Sequence, residues 1–78
     1  MAQQYIIEQD IKSSHFERTN IDTRYCSKAE PHQVFFTREK DKAKKYDTIE
    51  EAKADMKRIF ENIAYHVNIQ YVIMAYNP

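Results

Sequence analysis

The chain contains no glycine, and this constrains it more than any other feature of its sequence. Turns with positive φ, and loops whose backbone closes on a phosphate, depend on glycine because it has no Cβ to clash. Glycine-rich nucleotide loops of the Walker and dinucleotide-binding kinds are therefore excluded at motif level. Turns fall instead to residues such as Asn20, Asp22, Pro31 and Asp47.

A chain of 78 residues has room for one domain, residues 1–78, and buries only about 60% of its unfolded surface. At 42% hydrophobic and 31% charged it lies outside the regime of disordered chains. Twelve basic and twelve acidic side chains cancel, so overall charge selects no partner class. With one cysteine, Cys26, and no apolar run long enough to span a bilayer, the expectation is a cytoplasmic protein without membrane contact.

Period-two patterning predicts a first strand at Tyr5–Ile11, with Tyr5, Ile7 and Ile11 on one face. Lys12–Asn20 reads as a connection or a ragged hairpin loop, Ile21–Cys26 as a second strand, and Lys28–Pro31 as a break. Gln33–Phe36 is a short third strand ending at Thr37. The charged residues Arg38–Lys45 then form a solvated loop or one helical turn capped by Thr37, with Ala43 alone fit for a core.

Thr48, Ile49, Glu50 and Glu51 make a capping box, and Ile49, Ala52, Met56, Ile59, Phe60 and Ile63 recur at helical spacing after it. Glu50 with Lys53 and Lys57 with Glu61 are spaced for surface pairs. Past Tyr65 the period returns to two, with Ile69, Tyr71, Ile73 and Ala75 on one face and Val72, Met74 and Tyr76 on the other. Apolar on both sides, this strand is expected to be central, or to have its second face covered from outside the fold. The order βββαβ defines an α+β domain: an antiparallel sheet of three to four strands with one main α-helix packed on one face.

Candidate chemistry is sparse. His15, His32, His66 and Cys26 stand singly, without the close pairs that zinc sites use, and the expectation is no metal and no cofactor. A Cys26 and histidine nucleophile has no supporting motif, and Glu50 and Glu51 are explained by capping and the helix dipole. Asp41 and Asp47 make no better acid and base, so no catalytic residue is assigned and an enzyme is not expected.

Two features point to binding. Arg38, Lys40, Lys42, Lys44 and Lys45, near Phe35, Phe36 and Tyr46, could track a single-stranded nucleic acid, although Glu39 and Asp41 also suit a solvated turn. Six tyrosines and no tryptophan suggest a recognition surface, with Tyr5, Tyr71, Tyr76 and Met74 as candidate contacts on two neighbouring strands. One helix covers one face of a sheet, so the other face is expected to meet a partner or, in a homodimeric structural, assembly or regulatory module, a second copy.

The stretch Phe36–Ala52 resembles a module of small accessory proteins of bacteriophages and mobile elements. There a strand ending in F-T leads into A-K-x-[FY]-x-[ST]-x-E-E-A, matched here by Ala43, Lys44, Tyr46, Thr48, Glu50, Glu51 and Ala52. The resemblance implies a stoichiometric inhibitor of a host protein, such as a nucleic-acid-processing or defence complex of the CRISPR kind, and it transfers no catalytic residue. The chain departs from that group in lacking glycine in its first hairpin.

Overall fold

The computed structural model describes residues 3–15, 18–30, 33–62 and 68–77. It is an α+β fold with strands β1 (Gln4–His15), β2 (Arg18–Glu30), β3 (Gln33–Thr37) and β4 (Ile69–Tyr76). A 3-10 turn (Lys40–Lys42) and helix α1 (Ile49–Asn62) lie between β3 and β4. The sheet is antiparallel throughout, in the order β3-β2-β1-β4.

Ile7, Cys26, Ala29, Tyr46, Ala52 and Ile59 are buried together between sheet and helix, with Tyr5, Val34, Phe36, Met56, Tyr71 and Ile73 packed around them. Alternation explains this selection, since Tyr5 and Ile7 on β1 lie opposite Ala75 and Ile73 on β4, all on the helix side. β2 keeps its contribution in phase through a bulge between Cys26 and Lys28. Cys26 opposes Phe36 and Ala29 opposes Val34, so both small side chains face α1 despite being three residues apart.

The β1–β2 pairing ends at Glu8 and Tyr25, just before the bulge, and residues Lys44–Tyr46 lie beside the start of β1. Tyr5 and Tyr46 exchange two backbone hydrogen bonds of 2.8 Å, and the Lys44 N–H donates to the Cys26 carbonyl at 2.9 Å. This pairing holds the charged connection against the sheet.

α1 begins as the capping pattern predicts, with the Glu51 N–H donating to Thr48 Oγ1 at 3.2 Å. The Glu51 carboxylate reaches back to the N–H of Asp47 at 3.1 Å, one residue before the cap. At the other end Asn62 Nδ2 donates to the Arg58 carbonyl at 2.7 Å.

Several expectations are corrected. Lys12–His15 and Arg18–Asn20 are not a loop but a two-stranded ribbon that runs past both neighbouring strands. Lys12, Ser13, Thr19 and Asn20 are exposed, and exposed positions need no apolar alternation, which is why this sequence reads as a connection. Asn20 and Asp22, expected in turns, sit inside β2, and so do Lys28–Glu30, which resume the ladder after the bulge.

β4 is not central but an edge strand paired with β1. Thr37 does not cap the 3-10 turn; its Oγ1 accepts from the Glu39 N–H at 3.2 Å, while Glu39 is the cap position. Ile49 and Phe60 of the expected stripe are exposed, and Asp55 is buried in their stead. Among the described residues the ion pair within α1 joins Arg58 to Asp55 rather than the spacings expected at Glu50 and Glu61. Ile63, Phe16, Pro31, His32 and His66 lie outside the described residues.

Candidate interaction surface

The face away from α1 is a set of rows fixed by register. Met74 lies opposite Ile6; Val72, Glu8, Tyr25 and Thr37 form a row across all four strands; Gln70, Asp10 and Thr23 form the next. Ile21 opposes Lys12 on the ribbon, and Phe35 opposes Lys28 on the far edge. Apolar groups thus surround a polar centre, where Thr23 Oγ1 donates to Asp10 Oδ1 at 3.0 Å. Burial, and then the negative charge of Asp10, raise the Glu8 carboxyl above its ordinary range, while Lys40 pulls the other way.

The chain covers one end of this face itself. Ile6 is wholly buried and Ala43 nearly so. The alternation that turns Lys44 and Tyr46 toward α1 turns Ala43 and Lys45 to the opposite side, over the Ile6 end. There Lys45 Nζ stands 4.9 Å from the centre of the Tyr76 ring and donates to the Asp41 carbonyl. What stays open is Val72 (44% exposed), Phe35 (42%) and Ile21 (59%), with Met74, Tyr76 and Tyr25 half-buried between them.

The tyrosines expected to act together are divided between the two faces. Tyr76 and Met74 do lie opposite the helix, but Tyr5 and Tyr71 lie beneath it. The Tyr71 hydroxyl accepts a hydrogen bond from buried Gln9 at 3.0 Å, and its ring meets Phe36 at 6.3 Å and Phe60, edge-on, at 5.3 Å. Odd and even positions of one strand cannot share a face, so Tyr5 and Tyr71 are core residues.

The basic run is largely matched by acids of this chain. Arg38 lies 3.4 Å from Asp22, which Arg24 holds at 3.0 Å, and Lys42 lies 2.6 Å from Glu39. The Glu39 carboxylate, through its hydrogen bond and then its charge, raises the Lys42 ammonium above its ordinary value. Lys44 turns inward to Asp55 at 2.7 Å, and Lys45 lies on Tyr76. Of the five, Lys40 and Lys45 make no ion pair among the described residues.

Behind the sheet lies a polar cluster that the helical stripe pattern missed. Buried Tyr46 donates its hydroxyl to Asp55 Oδ2 at 2.6 Å, and Lys44 Nζ donates to the same oxygen at 2.7 Å. Burial alone would raise the Asp55 carboxyl, but the bonds from Lys44 and Tyr46, aided by the charges of Lys44 and Arg58, hold it below its ordinary value. Burial first, and then the bond to Asp55, drive the Tyr46 phenol far up. Burial likewise raises the Cys26 thiol. Phenol and thiol both stay protonated near neutral pH, the opposite of what an activated nucleophile requires.

The signal for this cluster is in the sequence. Asp55 falls between Ala52 and Ile59 at steps of three and four, on the buried stripe, and alternation from Ala43 aims Lys44 and Tyr46 the same way. Among the described residues no group of three or more His, Cys, Asp or Glu side chains could hold a metal ion. No helix of the described residues is long and apolar enough to cross a membrane. The chain matches no protein-family model, and no curated protein or solved structure is significantly similar to it.

Proposed function

We propose that this chain is a non-enzymatic binding protein of the phage accessory type, which docks on a host protein through the sheet face opposite α1 and blocks that protein's surface. A single observation carries the reading: Val72, Phe35 and Ile21 stand exposed on one face, around the polar centre of Glu8, Asp10 and Thr23. Exposed apolar groups bordering satisfied polar ones have the composition of recognition patches. The resemblance of Phe36–Ala52 to small phage proteins favours a defence or nucleic-acid-processing complex as the target. The cytoplasm of a host cell is where such a target would be met.

Nucleic-acid binding by Arg38–Lys45 is the weaker reading, because Lys42 and Lys44 already have acidic partners within the chain. Titration of the purified chain against purified CRISPR effector complexes and host nucleases tests the proposal. Co-elution in size exclusion with loss of nuclease activity is expected, and both should vanish in Phe35→Glu. Binding to none of these targets, or binding that Phe35→Glu leaves unchanged, overturns it.

A further inference from the structure

The free edge of β4 is a different surface from the open face, and among the described residues nothing guards it. Its sequence, Ile69-Gln70-Tyr71-Val72-Ile73-Met74-Ala75-Tyr76, contains no charged residue and no proline. Among the described residues its strand partner is β1 alone. Natural sheets blunt such edges with charges, bulges, proline or short length, because a row of unpaired N–H and C=O groups templates further pairing. The opposite side of this sheet shows these devices: β3 has only five residues, β2 is bulged, and β2 beyond β3 carries Asp22 and Arg24. β4 is regularly paired over eight residues and shows none of them.

We propose that β4 pairs antiparallel with β4 of a second copy about a twofold axis, joining two four-stranded sheets into one. Three observations favour a second copy over a foreign strand. A twofold antiparallel pair sets the strand against itself, and an uncharged strand meets no like-charge penalty in any register. The formal net charge is zero, so two copies do not repel one another at long range.

The third observation is that apolar side chains flank the edge on both faces. Phe60, 57% exposed, stands edge-on to Tyr71 on the helix side, and Val72 is exposed on the other. Pairing would cover both. Eight residues span about 27 Å, and with a body 17 Å thick the edge presents a projected face on the order of 450 Å², at the small end of specific interfaces. A face of this size suits a weak dimer rather than a permanent one.

Sedimentation velocity on the full chain, from about 1 to several hundred micromolar, is the test. A dimer is expected at the upper end, and a monomer throughout overturns the proposal. Val72→Lys brings two lysines together near the middle of the paired strands and should raise the dissociation constant about tenfold or more. Phe35→Glu, on the opposite edge of the sheet, should leave the dimer intact. A dimer that Phe35→Glu breaks and Val72→Lys spares is a face-to-face contact and also overturns the proposal. Should Val72→Lys fail to fold, hydrogen exchange of the native chain decides: protection of the β4 amides should fall on dilution, and protection independent of concentration refutes the edge pairing. Failure here leaves the open-face reading separate, because host-protein titration and self-association are measured independently.

Discussion

Asp55 is the residue whose surroundings matter most to stability. Its Oδ2 takes hydrogen bonds from both Tyr46 and Lys44, and Tyr46 is buried. Removing the phenol in Tyr46→Phe deletes a bond to a charged acceptor and should cost about 1.5–3 kcal/mol in denaturant unfolding. Lys44→Ala should cost less, about 1 kcal/mol or below, because the lysine is partly solvated and its ion pair is screened. The same cluster sets the pH response. Asp55 is held below its unfolded value, so its contribution is complete above about pH 4 and is lost as pH falls through the lower folded value. Tyr46 is held above its unfolded value, so its contribution is complete below about pH 10 and is lost as pH rises toward the higher folded value. Glu8 is raised and works against Asp55 in acid, since protonation favours its folded environment. Stability measured from pH 2 to 11 should therefore fall at both ends, with Asp55→Asn flattening the acid limb and Tyr46→Phe the alkaline one.

Among the elements, α1 owes its start to local chemistry and its position to packing. Thr48→Ala removes the bond to the Glu51 N–H and should cost about 1 kcal/mol, a drop in melting temperature of roughly 4–8 °C for a domain of this size. The ribbon of Ser13–His15 and Arg18–Asn20 is the opposite case, paired only strand to strand among the described residues. A two-stranded ribbon without a core is marginal in water. Its amides should exchange with solvent faster than those of Ile6 and Ile7 by orders of magnitude, which hydrogen exchange read by NMR will check. The bulge at Cys26 and Lys28 has the longest reach of the small features. It keeps both Cys26 and Ala29 in the core although they are three residues apart.

For the whole molecule, one layer of helix on a four-stranded sheet leaves half of the sheet to be covered by other means. Ala43 and Lys45 lie over the Ile6 end, and Val72, Phe35 and Ile21 remain open. That division places the binding proposal on particular residues. Phe35→Glu should leave unfolding within about 0.5 kcal/mol of the native chain, as a substitution of an exposed side chain does, while abolishing host-protein binding. A variant that unfolds and fails to bind together would make Phe35 a structural residue instead.

Element types and their order were legible in the chain alone, because periods of two and 3.6 and a capping residue are properties of neighbouring positions. The two faces of β4 and the helix start at Thr48 were read from such patterns. The ribbon was not, because exposed positions have no reason to alternate. Strand order, the edge position of β4 and the burial of Ile6 required the tertiary structure, since each depends on residues far apart in the chain finding one another. The core places of Tyr5 and Tyr71, and the joining of Lys44, Tyr46 and Asp55, were decided the same way. Alternation says that two side chains share a face; only the packed helix says which face becomes the interior.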